Sequence, residues 1–307
     1  MNRLQAYAQL VRLPNLPTPL ADILLGFLAV GSLVGWGMWP AYLPLLAASA
    51  CLYCGGMVWN DYFDREEDNR DRPERPIPSG QISPRQAALC GLILMAAGLA
   101  FAVLAGVLAG AIVPLAVLAL LLTAAIFLYD GWLKRTVIGP AGMGACRFLN
   151  VMLGVAPAAA LLPTRGVYLG FLVGLYITGV TWLARTEARV SNRTALVAAA
   201  CLMLLSLLLT LPLPLLPLPE VATPDPSSPL FPYLLVALGF FVGFPVAAAV
   251  RTPTPSRVQS AVKRSLMGLI LLDAVLATAL AGTIGLVLLV LLAPSVYLNR
   301  RRWLYAT

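Results

Sequence analysis

Apolar runs of about 17 to 24 residues recur along this 307-residue chain, each bounded by charged residues or by proline and glycine breaks. A run of that length, wound as an α-helix at about 1.5 Å per residue, crosses a hydrocarbon core of about 30 Å. The runs are continuous and lack the period-two alternation of a membrane barrel strand, which argues against a β-barrel. With 60% hydrophobic and 11% charged residues, the composition also lies outside that of soluble globular domains. The expected fold is therefore an all-α polytopic membrane protein. The first run starts near Leu16, is long enough to span, and leads into further spans, so it reads as a span rather than a cleavable signal.

The spans are expected at 16–36, 41–60, 86–108, 111–128, 142–162, 166–184, 195–217 and 230–250. The last apolar stretch, Ser265 to Leu298, has 34 residues. As one helix it would be about 51 Å long, too long for a single crossing, and Gly282-Thr283 offers a turn. That divides it in two and gives nine to ten helices, ten being favoured, in one transmembrane domain over 1–307. Charge supports ten. With the N-terminus inside, every one of the 21 Lys and Arg residues except Arg165 falls on or near one side, including Arg300, Arg301 and Arg302. Nine spans would send those last three outside. The expected location is the inner (cytoplasmic) membrane with the charged loops in the cytoplasm. The same asymmetry accounts for the net charge of +8 and the pI near 9.5 without a nucleic-acid partner. It leaves the oligomeric state open.

Histidine is absent, which removes imidazole acid–base chemistry, haem ligation through His and the common zinc sites. Of the five cysteines, Cys51 and Cys54 form a C-x-x-C within an apolar span and read as small buried hydrophobes.

Seven of the thirteen acidic residues lie between Asp61 and Glu74, interleaved with Arg65, Arg70, Arg72 and Arg75. If the second helix continues past Trp59, Asp61, Asp64 and Asp68 fall at i, i+3 and i+7 on one face. Carboxylates stacked in that way repel unless a cation lies between them, and oxygen ligands suit Mg²⁺ or Ca²⁺. A solvated acidic-basic loop is the alternative. Position at the end of a membrane span favours function.

Further groups are expected at the same end: Asn60 beside the aspartates, Arg72 and Arg75, Lys134 and Arg135, Arg147 with Asn150, and Arg185, Glu187 and Arg189. Carboxylates holding Mg²⁺, faced by cations that pair with phosphate oxygens, make a diphosphate site. Above an apolar cavity, such a site suits a substrate with a charged head and a greasy tail. Arg147 lies inside an apolar span and needs a partner or ligand, whereas Arg3, Arg12, Arg257 and Arg300 to Arg302 are accounted for by topology. Asp22 and Asp273 are similarly costly. Asp273 reads as an interhelical hydrogen-bonding residue.

Asn60-Asp-x-x-Asp-x-x-x-Asp68, followed by Arg75-Pro-Ile-Pro-Ser-Gly80, resembles the first aspartate-rich motif of the UbiA-type intramembrane prenyltransferases. The likeness extends to Leu13-Pro-Asn15, to Tyr129 with Lys134-Arg135, and to Arg147…Asn150…Gly154. It implies a helical bundle around a central cavity. It also implies Mg²⁺-dependent transfer of a prenyl group from a prenyl diphosphate to an aromatic or other small hydrophobic acceptor in the bilayer. Carried over by position, Asn60, Asp61, Asp64 and Asp68 would hold Mg²⁺ and diphosphate, and Arg75, Lys134 and Arg147 would touch diphosphate. The family's second aspartate-rich motif is degenerate here: Ala184-Arg-Thr-Glu-Ala-Arg189 has one carboxylate, and Arg185 and Arg189 could bind phosphate in its place. Together with Tyr129-Asp130, Gly139-Pro140, Met143-Gly144 and Val258-Gln259…Val262-Lys-Arg264, this resembles the EboC-like branch. Non-catalytic binding or transport of a prenyl-lipid-like precursor is the alternative. A phosphatidyl-alcohol synthase is disfavoured because the Gly, Ala and Arg elements of its motif are missing.

Overall fold

The computed structural model describes residues 3–29, 39–158, 164–185, 191–215 and 229–300. Among them the regular elements are helices. A short α1 (Arg3–Leu10) and a 3-10 turn at Leu13–Asn15 lead into α2 (Pro17–Ala29). Then come α3 (Trp39–Asp71), α4 (Pro84–Ala109), α5 (Ile112–Gly131), α6 (Gly139–Val155), α7 (Thr164–Ala184), α8 (Arg193–Thr210), α9 (Phe231–Arg251) and α10 (Pro255–Ala281). A 3-10 segment, Gly282–Leu291, and α11 (Leu292–Asn299) complete the described chain. Seven helical stretches are long and apolar enough to cross a membrane, and α2 is a shorter apolar one. Many large apolar side chains point outward, such as Leu92, Val113, Leu120 and Phe244. In water such a surface would drive association; in a bilayer it meets lipid.

Two apolar cores flank a shared wall. One is built from α3, α4 and α5, the other from α7 to α10, and α2 with α6 contributes to both. The wall is tight because α2 and α6 meet through glycines. A Cβ on Gly154 would lie 2.6 Å from the Ile23 carbonyl oxygen, and one on Gly26 would lie 2.6 Å from the Gly154 carbonyl carbon. Small residues that let backbones touch are a general basis of helix association in lipid. Gly154→Val is expected to force the pair apart at a cost of about 1 to 3 kcal/mol. That should be read as a lower unfolding temperature in detergent; an unchanged temperature would count against the close crossing. Between the two cores lies a cavity of about 190 Å³, with walls from α2, α3, α5, α6, α7 and α10.

Helix ends differ from the sequence expectation in ways that matter for the site. α3 does not stop near residue 60 but runs to Asp71, because no breaker intervenes before Pro73. α5 extends to Gly131, which puts Tyr129 and Asp130 on a helix rather than in a loop. α10 begins at Pro255, so Arg257, Lys263 and Arg264 are helical too; proline at the first position suits a helix start. The turn at Gly282 is present, with φ 67°, a conformation glycine tolerates. Beyond it the chain doubles back: a Cβ on Gly285 would strike the Thr278 backbone, and Ser295 Oγ donates to the Pro14 carbonyl at 3.0 Å. The ten 3-10 residues at about 2.0 Å each and the eight of α11 at about 1.5 Å each reach about 32 Å. That is enough for a tenth crossing.

Candidate active site

The polar end of α3 carries the site. At 100° per residue, Asp68 lies about 20° and Asp64 about 60° round the helix from Asp61, so Asp61 and Asp68 share a line while Asp64 sits off it. Their partners follow that geometry. Arg75 Nη1 lies 3.4 Å from Asp61 Oδ1 and 2.7 Å from Asp68 Oδ2, with all three side chains buried. Asp64 instead meets Lys134 Nζ at 2.7 Å and Arg135 at 3.7 Å. Asn60 donates to Asp130 Oδ1 at 2.9 Å. The three aspartates are thus not gathered round one point. Among the described residues no three Asp, Glu, Cys or His side chains form a metal-holding group.

Arg75 reaches inward because of its loop. After Arg75 the chain turns through Pro76-Ile77-Pro78, with Ser79 N and Oγ both donating to the Arg75 carbonyl and Gly80 at φ 75°. Ile77 and Ile82 are buried against Ala6, Leu10, Val58 and Ala87, which pins the loop and α1 to the flank of α3 and α4. A capping box at Ser83 and Gln86 then starts α4.

Arg12 is the residue that sequence reasoning missed. Its Nη2 lies 3.1 Å from Asp61 Oδ1 and 3.4 Å from Asn60 Oδ1, and it lines the cavity. Its backbone is left-handed (φ 49°), alone among the described non-glycine residues. Such a conformation costs about 1 to 3 kcal/mol and persists where surrounding structure holds it. Burial works against the charge on Arg12. Asp61, with smaller help from Tyr53 and Asp130, outweighs that and holds the guanidinium above its ordinary range. The available signal was its place immediately before Leu13-Pro-Asn15.

Deeper in the bundle Arg147 has the partner its burial demands. Its guanidinium meets Asp22 Oδ2 at 3.0 Å and Thr18 Oγ1 at 2.7 Å. Asn150 donates to the same Asp22 oxygen and to the Pro19 carbonyl, both at 2.9 Å, and accepts from Ser49 at 2.8 Å. This network ties α2, α3 and α6 together at one side of the cavity. Tyr53, Tyr129, Asp130, Met57, Ile126, Met143 and Leu266 line other parts of the cavity.

Other expected members behave differently. Arg72 is half-buried and makes no ion pair with the described residues. Arg185 is exposed and donates to the Thr136 and Val137 carbonyls, at 2.6 and 3.3 Å, bracing the segment after Lys134 and Arg135. Glu187 and Arg189 lie outside the described residues.

The arrangement is a polar mouth, with carboxylates and guanidinium groups interleaved, above a cavity that combines apolar walls with one polar side. The profile of the UbiA prenyltransferase family matches residues 23–266. The chain belongs to the UbiA prenyltransferase family. It is an integral membrane protein, as the helices require. Among its UbiA relatives is the digeranylgeranylglyceryl phosphate synthase of Methanopyrus kandleri, 34% identical over 162 residues, or 51% of this chain and 56% of that one. The enzyme of the same name from Methanospirillum hungatei is 32% identical over 179 residues, 58% of each chain. The matched stretch thus spans a little over half the length of these relatives. A solved structure concerning digeranylgeranylglyceryl phosphate synthase in membranes superposes with a TM-score of 0.63 at 20% identity, covering 92% of this chain and 99% of that one. A UbiA homolog from Aeropyrum pernix K1 gives 0.59 at 16% identity, covering 86% and 96%. Those two likenesses speak to fold alone.

Proposed function

We propose that the chain transfers a prenyl group from a prenyl diphosphate to a hydrophobic acceptor in the membrane, with the diphosphate held at the mouth by Arg12, Arg75 and Lys134. The observation that carries this reading is the convergence of Asp61 and Asp68 on Arg75, joined to the cavity through Arg12, which pairs with Asp61 and lines it. Mg²⁺ is usually bound through one or two carboxylates plus substrate phosphates, and Asp61 and Asp68 supply such a pair once Arg75, which now bridges them, turns to the phosphates. Asp61 and Asp68 would hold the ion, with Asn60 and Asp64 beside them. When bound, it would neutralise charge on the departing diphosphate. In this reading the site faces the cytoplasm, because the basic residues cluster at this end. The EboC-like placement rests on the altered second motif.

Breaking the allylic C–O bond leaves negative charge on diphosphate and positive charge on carbon. Arg12, which lines the cavity, with Arg75 and Lys134 beside the α3 aspartates, would meet the first with charge-assisted hydrogen bonds. Tyr53 and Tyr129 present aromatic rings to the cavity, and ring faces attract a cation. The apolar walls keep water from the carbocation. The curated relatives' name makes a prenylated glyceryl phosphate the acceptor to test beside an aromatic one.

The test is incubation of the purified protein with Mg²⁺, a series of prenyl diphosphates and each acceptor, measuring bound ligand, product and released pyrophosphate. Prenylated product with stoichiometric pyrophosphate is expected. Saturable binding without pyrophosphate release would replace the transfer reading with the non-catalytic one.

Arg12→Gln removes one charge from the mouth. A charge-assisted hydrogen bond contributes about 1.5 to 3 kcal/mol, so KM for the prenyl diphosphate should rise about 10- to 150-fold with a smaller change in kcat. Arg12→Lys should recover part of it. Equal kinetics in all three proteins would remove Arg12 from the site.

A further inference from the structure

On the far side of the bundle from α3, a second concavity of about 480 Å³ runs between α8 and α9. Its walls are apolar, and small residues, Ala200 and Cys201 from α8 and Gly239, Gly243 and Ala247 from α9, open it among larger aliphatic ones. A Cβ built on Gly239 or Gly243 would meet nothing within 4 Å. One end is different. Arg193 opens α8, Arg251 closes α9, and both line the groove. Both are exposed, and neither makes an ion pair or a side-chain hydrogen bond with another described residue. The connections at this end are joined by Ser191 N donating to the Pro253 carbonyl.

We infer that this groove is a binding site for one anionic phospholipid of the surrounding leaflet, its phosphate between Arg193 and Arg251 and one acyl chain along the glycines. Length supports it. From Arg251 to Gly239 the groove follows α9 for about 18 Å, and from Arg193 to Leu207 it follows α8 for about 21 Å. Half of a hydrocarbon core is about 15 Å, so the groove runs from headgroup level to about the bilayer centre. Charge supports it as well, since basic pockets between helices at the interface bind anionic headgroups. The positive end of the α8 dipole lies at the same level, although Asn192 Oδ1 already accepts from Thr194 N at 2.9 Å. A second copy of the chain fits less well. A twofold pair in a membrane keeps each residue at its own depth and sets the same patch against itself, so arginines would face arginines.

The inference is independent of the prenyl-transfer reading. It is tested with the purified full chain by native mass spectrometry, titrating phosphatidylglycerol against phosphatidylcholine. Two arginines at the interface should favour the anionic lipid about thirty-fold. In the Arg193→Gln/Arg251→Gln protein that preference should fall to about threefold or less. Gly243→Leu fills the groove where nothing obstructs a side chain, so it should abolish saturable binding here while keeping the wild-type unfolding temperature. This variant stands alone if the double substitution fails to fold. An unaltered phosphatidylglycerol preference in Gly243→Leu, or in a folded Gln/Gln protein, overturns the site. A Cys201–Cys201 cross-link formed in membranes before solubilisation overturns it too, by giving the groove to a second copy.

Discussion

Asp61→Asn is expected to lower Mg²⁺-dependent pyrophosphate release at least about 100-fold, the largest loss foreseen for any single change at the mouth. The reason is its position. Asp61 touches Arg12 at 3.1 Å and Arg75 at 3.4 Å, so one carboxylate organises both guanidinium groups and is one of the two that could grip a divalent ion. Asparagine keeps the shape and a carbonyl acceptor but gives up the charge. Arg12 then faces an uncharged neighbour while Arg75 keeps Asp68, and the ion loses an anionic ligand. Loss of one electrostatic partner at a reacting centre typically costs about 2.7 to 4 kcal/mol, which is consistent with that factor. The assay is single-turnover pyrophosphate release across a Mg²⁺ titration, with the unfolding temperature as a check on folding. An Asp61→Asn protein with the wild-type Mg²⁺ response would remove the metal role.

Asp22→Ala should be the most damaging change to stability. It strands the Arg147 guanidinium within the bundle and takes an acceptor from Asn150. Removing one partner of a buried ion pair costs about 3 to 5 kcal/mol, because the remaining charge is left uncompensated. The side chains involved link α2 to α6 across a wall that has no slack, as Gly26 and Gly154 demonstrate. Asp22→Asn should be milder, since an amide oxygen can still accept from Arg147. Thermal unfolding in detergent measures both. Equal unfolding temperatures for wild type and Asp22→Ala would mean that Arg147 finds compensation elsewhere.

How much of the site was legible depended on whether a residue's role was local. The alignment of Asp61 with Asp68 follows from helical periodicity once α3 runs past Trp59, a continuation the motif left conditional and the structure supplies. Arg147 was flagged because a guanidinium inside an apolar run must be answered. Which side chain answers it was not legible: Asp22 is 125 positions away in the chain. Arg12 was assigned to topology because a basic residue before a first span is ordinary, and its partner Asp61 lies 49 positions on. Asp64 was grouped with its neighbours by spacing, but a modest rotation and the nearby Lys134 turned it elsewhere.

From the sequence alone came the class of fold, a bundle of apolar helices able to cross a membrane, the end of it where charge accumulates, and the helix that carries the carboxylates. Those properties come from short-range hydrophobicity, charge and helical repeat, all of which a linear reading contains. The tertiary structure alone decided which cation meets which carboxylate, that the last crossing is largely 3-10, and that a polar-sided cavity remains between two cores. These depend on distances between segments far apart in the chain, and close backbone contacts such as Gly26 with Gly154 fix them only once the helices have packed.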